Sequence, residues 1–219
     1  MKYGPISRIT LAQILGLSQG AVSRITSDLI YAGVIEETPM TPGQAGKLPK
    51  GFVQKENSER RGRPQTGLRI IKDARTFIGM KINTTHISAV AVNAIGQIVT
   101  GCHDLPLEET SPDNVTAVVK QLTTDCSDEA VMAGLPRPCA VGISLGGHII
   151  DDASVTFAPF LHWSRPVEFS KMVQEATGLP AGIYNDIDSL LVDACWFGSG
   201  VGLNSFALLT FGAGVGYSL

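Results

Sequence analysis

The chain has 219 residues, 44% of them hydrophobic and 17% charged, with a formal net charge of −3. Such a composition excludes a disordered tail and supplies enough apolar side chain for one large domain or two small ones. No apolar run reaches the length needed to span a bilayer, and the N-terminal MKYGPISRIT lacks the uninterrupted hydrophobic stretch of a signal peptide, so a cytoplasmic location is expected. Cys102, Cys126, Cys139 and Cys195 are far apart and show neither C-x-x-C nor a Cys/His ligand spacing; they are expected to be buried thiols, with no metal site.

The net charge conceals an asymmetry. Residues 1–75 carry twelve Lys and Arg against six Asp and Glu, a formal +6, while the remainder carries five against fourteen, a formal −9. A basic N-terminal module on an acidic body points to a polyanion as the partner of the first part alone, since phosphates attract such a module over a distance.

From Thr10 the sequence reads TLAQILGLSQGAVSRITSDLIYAGVIEE. Thr10 and Gln13 match a capping box, and Gly16 separates two apolar-periodic segments, which predicts helix, tight turn, helix. Small Ala12 lets the helices approach; Val22 and Ile25 are expected to face inward with Leu15 and Leu29. This spacing recurs in helix-turn-helix DNA readers, although an unrelated helical hairpin can produce it. The second helix is predicted from near Ser18 to about Ala32, ended by Gly33. Its exposed early face carries Ser18, Gln19, Ser23 and Arg24 as candidate DNA contacts. Gln19 is long enough to pair with adenine, and Ser18 and Arg24 suit phosphates; plain solvent exposure is the alternative for each. VIEE and KGFVQKEN then read as two short strands around TPGQAGKLPK, a wing whose Lys47, Lys50 and Lys55 suit phosphate contact. Residues 1–58 are thus expected to form a winged helix-turn-helix.

ERRGRPQTGL follows, with Arg60, Arg61 and Arg63 around Gly62 and Pro64, which keep the strip extended. Over residues 59–75 a basic linker is expected, its Arg61 and Arg63 slim enough to enter a minor groove of A·T-rich DNA. A plain solvated linker is the alternative.

Beyond Arg75, short apolar strands and helices alternate. FIGMKI, HISAVAV and QIVTGC read as strands with turns at residues 83–85 and 93–96. A helix follows from Ser111, with Pro112 in its first turn and Asp113 near its positive end. Strand CAVGIS, a Gly146-Gly147 turn, a helix from Pro166 to about Thr177, strand AGIY and a helix from Asp186 to Phe197 come next. SFALLTFGAGVGYSL reads as two strands joined by a glycine-rich turn. This order predicts an α/β domain with a mixed sheet over residues 76–219.

The landmarks GPISRITLAQILGLSQGAVSRI, RGRP, GISLGGHIID, FAPFLHW, YNDIDSLL and FGAGVG, in that order, resemble the ROK family of bacterial sugar kinases and sugar-responsive repressors. The resemblance implies a winged helix-turn-helix followed by the first lobe, and the start of the second, of an actin-like ATPase or sugar-kinase fold. RGRP before a Gly-Leu pair resembles the linker of the repressor branch. Family kinases carry Asp-x-Gly-Gly-Thr in the first hairpin; here the aligned stretch is KINTT, with Lys81 in place of the Asp, Asn83 and Thr84 in place of the glycines, and Thr85 retained. Side chains there obstruct phosphate approach and the metal-directed carboxylate is lost, so no ATP-dependent catalysis is expected. The second phosphate turn keeps Gly212, Gly214 and Gly216 but has Ala213 where Thr is usual.

Asn185 and Asp186 match the family's sugar-binding motif, in which the kinases use the Asp as base and repressors can still accept a hydroxyl hydrogen bond with it. A helix N-cap is the alternative reading of either residue. Asp188 replaces an Asn common in the kinases. Gly146 and Gly147 are expected to let the chain approach the sugar, and Phe160 and Trp163 to line the pocket or belong to the core; His148 reads as a turn residue.

The family places another helix before GPISR, and a Glu-x-Gly-His motif, a Cys/His zinc site and most of the second lobe after FGAGVG. The sequence is therefore expected to be incomplete at both ends, with no cofactor of its own and with zinc, homo-oligomerisation and a full inducer pocket belonging to the longer pattern. The resemblance implies a repressor that binds a DNA operator and senses a sugar or sugar phosphate through a non-catalytic body, the ligand favouring an arrangement that fits the operator poorly. A ROK sugar kinase with an added N-terminal module, or an inactive remnant, are the alternatives.

Overall fold

A computed structural model describes residues 4–40, 66–203, 205–211 and 215–219. It contains two compact units, Met1–Ala74 with Asp193–Phe206 and Arg75–Val192 with Ala207–Leu219. KGFVQKEN, Lys47, Lys50, Lys55, Arg60, Arg61, Arg63, Gly212 and Gly214 lie outside the described residues.

In the first unit, helix α1 (Arg8–Leu15) is capped by Ser7, whose Oγ accepts from the Thr10 N–H at 3.1 Å. The cap is thus Ser7 rather than Thr10, which lies buried in the first turn with its hydroxyl 2.9 Å from that of Ser7. Gly16 ends α1 at φ 64°, a conformation that costs a residue without Cβ little. Ser18 then caps α2 (Gln19–Tyr31), accepting from the Ala21 N–H at 3.2 Å. Ala12 and Val22 are buried as expected. Leu15, Ile25 and Leu29 are not: they are exposed and line an open apolar groove with Leu11, Ile35 and Trp196. Two helices bury only the narrow stripe where they touch, and the apolar face of this pair is wider than that stripe.

Strand β1 (Ile35–Pro39) pairs antiparallel with β2 (Thr66–Ile70), Ile35 opposite Ile70 and Pro39 opposite Thr66. Residues 66–70, expected within a linker, therefore form a ladder. Alternation explains it: Leu68 is buried, while Arg69 points out and bonds Glu36 at 2.6 Å. Arg8 fastens three elements, donating from Nε to the buried Thr26 of α2 at 3.0 Å and from a terminal nitrogen to Glu37 of β1 at 2.6 Å.

The second unit is built on a five-stranded mixed sheet of β3 (Thr76–Ile82), β4 (His86–Asn93), β5 (His103–Pro106), β6 (Pro138–Leu145) and β9 (Ala181–Asn185), in the order β5-β4-β3-β6-β9. The β3–β4 and β4–β5 pairs are antiparallel, and β3–β6 and β6–β9 parallel. Period-two alternation sends Ile78, Met80, Ile82, Ile87, Val141 and Ile183 to one face, where α3 (Pro112–Met132) and α4 (Phe169–Thr177) cover them. Ser111 caps α3, with Pro112 and Asp113 in its first turn.

Three local expectations need correction. QIVTGC is not a regular strand: it follows β4 through the Val92–Ile98 bridge, a Val99 N–H bond to Ala91 and bonds from the Asn93 and Ala91 N–H groups to Gln97 and Thr100, and β5 starts at His103. β5 is fastened instead by Glu129 of α3, which accepts from the Gly101 N–H at 2.8 Å and from His103 Nε2 at 2.6 Å; these bonds, the first above all, hold its carboxyl below the usual range. α4 starts at Phe169 rather than Pro166, because Val167 is taken up in a bridge to Val155. Between β6 and α4 stand an unforeseen hairpin, β7 (His148–Ile150) and β8 (Ser154–Phe157), and a single 3-10 turn at Pro159–Leu161. After α5 (Asp186–Trp196), β10 (Leu208–Phe211) and β11 (Val215–Ser218) form the expected final hairpin.

The cysteines are also not uniformly buried. Cys126 sits in the core of α3, where burial pushes its thiol up to about 11, whereas Cys102 and Cys139 are exposed and Cys195 is half-buried. Among the described residues no group of three or more His, Cys, Asp and Glu is placed to hold a metal, and no helix is long and apolar enough to cross a membrane.

Leu122 is fully buried on α3 against the sheet. Leu122→Ala should cost about 2–5 kcal/mol in a urea melt, against less than about 0.5 kcal/mol for the exposed Lys120→Ala on the same helix.

Candidate functional site

β9 ends at Asn185 and α5 begins at Asp186, so the two residues stand at a strand-to-helix junction. Asn185 Oδ1 accepts from the Ile187 N–H at 2.8 Å, while its Nδ2 donates to the Gly147 carbonyl at 2.8 Å. The two partners fix the amide's orientation, since one can only donate and the other only accept. Both polar atoms are thus engaged within the protein. Asn185 caps α5 and holds the β6–β7 turn beside it.

Asp186 is different. Its carboxylate, 27% exposed at the positive end of α5, accepts from Lys81 Nζ at 2.9 Å through Oδ2. Oδ1 accepts no hydrogen bond from the described residues. Lys81, on β3, is 41% exposed. Lys81 thus sets a positive charge against the candidate sugar-binding carboxylate.

The two glycines of the β6–β7 turn part company. A Cβ on Gly146 would lie 3.8 Å from Asp186 Oδ2 and 3.8 Å from the Phe160 ring, in ordinary contact, so the absent side chain leaves a space flanked by a carboxylate and an aromatic ring. At Gly147 a Cβ would stand 2.7 Å from the Phe157 carbonyl oxygen and 3.1 Å from Leu145, so packing alone requires that glycine. Trp163 is core: it is 5% exposed, donates from Nε1 to the Thr110 carbonyl at 2.6 Å and meets Phe169 edge-on at 5.2 Å. His148 bonds Thr156 across the β7–β8 hairpin at 2.6 Å.

Asn185, Asp188, Tyr184, Gly147, His148 and Asp152 surround a polar hollow of about 360 Å³. Asp188 Oδ1 accepts from Ser218 of β11 at 2.7 Å, and Gly216 of the same strand lies where a Cβ would meet Ile187 at 3.0 Å. The final hairpin is thereby fastened to the first turn of α5. Neither contact is local in sequence, and neither was legible before the fold.

The other candidate surface is on α2. Gln19, Ser23 and Arg24 are exposed, and Gln19 and Ser23, four residues apart, share a face. Ser18 is exposed too, with its hydroxyl oxygen engaged by the Ala21 N–H. Two arginines of the basic third, Arg8 and Arg69, are spent on Glu37 and Glu36. The charge excess available to a polyanion therefore rests on other residues.

A mixed sheet backed by α3 and α4, with a carboxylate at the end of its last parallel strand, defines an α/β domain of the sugar-kinase, actin-like type. The chain belongs to the ROK family, whose sequence profile matches residues 77–219. It is 22% identical to the xylose repressor of Bacillus spizizenii over 99% of its own length and 51% of the repressor's. It is also 22% identical to the DNA-binding transcriptional repressor Mlc of Escherichia coli over 92% of its length and 46% of Mlc. The chain spans about half the length of these curated relatives. Among solved structures, a ROK family transcriptional regulator described as a homologue of E. coli MLC superposes with a TM-score of 0.70 at 23% identity, covering 98% of this chain and 50% of that one. A ROK family glucokinase from Streptomyces griseus, solved with glucose and AMPPNP, gives 0.55 at 28% identity over 65% of this chain and 43% of that one.

The contrast between the glycines is testable. Gly147→Ala should destabilise the chain by about 1–3 kcal/mol, because a backbone carbonyl must move to admit the methyl group. Gly146→Ala should leave the thermal midpoint within a degree or two, as its Cβ meets only ordinary contacts. Equal melting temperatures for the two variants would refute the distinction.

Proposed function

We propose that the chain is a sugar-responsive, DNA-binding transcriptional regulator of the repressor type, with a body that binds a sugar without phosphorylating it. One observation carries this reading. The repressor relatives and the regulator structure match 92–99% of the chain, helices α1 and α2 included, whereas the glucokinase covers 65%. In the proposal α1, α2 and the β1–β2 ladder form a winged helix-turn-helix. Ser18, Gln19, Ser23 and Arg24 of residues 1–58 meet DNA, as do Arg61 and Arg63 of the basic linker over residues 59–75. Residues 76–219 are the sensor.

Asp186 is the proposed sugar contact and Gly146 gives room for the ligand. Asn185 and Gly147 hold the carboxylate in place. Lys81 occupies one oxygen of Asp186 and leaves the other for a hydroxyl hydrogen bond, which supports a binding role. KINTT, lacking the glycines and carboxylate of the kinase turn, supports the same reading. The operator and the sugar are the partners, and assembly with further copies belongs to the proposal for the longer protein. The glucokinase at 28% identity favours a kinase as the second reading; ADP formation from ATP with a hexose would establish it.

Binding-site selection followed by gel-shift titration tests DNA reading. Gln19→Ala should change the selected consensus with little change in overall affinity. Arg24→Ala should weaken all sites alike and flatten the slope of log affinity against log salt by up to about one unit. An unchanged consensus and an unchanged slope would remove α2 from the interface.

A further inference from the structure

We propose that Arg8 is a positioning residue for DNA reading: its guanidinium ties α2 to β1, fixes the roll of α2 about its axis and so sets which bases that helix reads, without touching DNA itself. This rests on the reading of α2 as the DNA-reading helix and adds to it a residue that governs specificity through others.

Apolar packing does little to fix the roll of α2. Its buried residues are Val22 and Thr26, four apart on one face, and Thr26 ends in a hydroxyl. Ile25 and Leu29 are exposed. Apolar burial has no direction, whereas a hydrogen bond has a preferred one. Arg8 supplies that direction. Its Nε donates to Thr26 Oγ1 at 3.0 Å, and because a guanidinium only donates, the Thr26 hydroxyl keeps its own proton for the Ser23 carbonyl, 3.2 Å away. A terminal nitrogen of the same fork donates to Glu37 Oε1 at 2.6 Å. A relay therefore runs from a carboxylate on β1 through Arg8 and Thr26 to the backbone of Ser23, one of the residues proposed to face DNA. The planar guanidinium holds the two bonds at a set angle, which the single nitrogen of a lysine cannot do.

The charge of Arg8 is already met by Glu37, which leaves the guanidinium poorly placed to serve as a phosphate contact. Arg69 and Glu36 provide the comparison. They form an ion pair of the same 2.6 Å length, but both partners lie on the β1–β2 ladder, directly opposite each other, so the pair braces the ladder alone.

The test compares the affinity of the 219-residue chain for the duplex it selects from a randomised library with its affinity for a mixed-sequence duplex. The ratio of the two should fall about five- to tenfold in Arg8→Met and in Thr26→Val, the equivalent of roughly one base contact. Thr26→Ser, which keeps the hydroxyl, should restore it, and Arg69→Met should leave it at the parent's value. The slope of log affinity against log salt should be the same in Arg8→Met as in the parent, since no phosphate contact is lost. In the double variant Arg8→Met/Thr26→Val the losses should be smaller than additive, because both break one relay. Circular-dichroism melts serve as the control for folding. Glu37→Ala cuts the relay at its exposed end and still tests it should the buried variants melt early; its ratio should fall too, although a negative charge has been removed. An unchanged ratio in Glu37→Ala would overturn the inference. So would a shallower salt slope in Arg8→Met with tighter binding of the selected duplex by Glu37→Ala, since Arg8 would then be a phosphate contact. Both results leave the DNA-reading function standing. A parent chain that prefers no duplex to mixed-sequence DNA would overturn that function and the inference with it.

Discussion

The side-chain amide of Asn185 holds the candidate site together. It joins three things that the sheet alone leaves separate: the end of β9, the first turn of α5 and the β6–β7 turn. Parallel pairing of β6 and β9 brings Leu145 opposite Asn185, so the chain leaves both strands at the same edge. From there the amide closes the geometry, accepting from one backbone N–H and donating to one carbonyl. Its removal would orphan both groups, at about 1–3 kcal/mol for each left dry. Asp186 would then lose the frame that aims its carboxylate at Lys81.

Much of the second unit was legible in the sequence because its periods are clean. Residues 76–82 and 86–93 alternate strictly, and Ser111-Pro112-Asp113 announces a helix start in three different ways. The β7–β8 hairpin was hidden by its shortness and by Asp151 and Asp152, whose positive φ of 53° does the work of glycines without their letters. Ser7 was overlooked as a cap because Thr10 and Gln13 offer a competing pattern one turn later. In the first unit, the apolar positions of α1 and α2 were correctly seen as one stripe, but a stripe does not say whether anything covers it; Leu15, Ile25 and Leu29 remain open to solvent.

The site itself was legible as motifs and illegible as chemistry. Asn185 and Asp186 could be picked out, but their division of labour depends on partners 38 and 105 residues away. Gly146 and Gly147 are identical letters, separated only by what a Cβ would strike. Lys81 could be read as the loss of a kinase carboxylate. That its ammonium reaches Asp186 follows from β3, β6 and β9 lying side by side, which brings the end of β3 within a side chain's reach of α5. That contact joins two residues singled out separately in the sequence into one charged pair at the end of the sheet.

The proposed function requires that a sugar bound at Asp186 and DNA bound at α2 be linked through the chain, and thermodynamic linkage makes that requirement reciprocal. The most direct measurement is a pair of titrations: DNA affinity with and without saturating xylose or glucose, and sugar affinity with and without saturating DNA. A sugar-responsive repressor gives the same factor in both directions, typically about 5–150-fold, with each ligand weakening the other. DNA affinity that stays constant when the sugar site is saturated would contradict sensing by this chain.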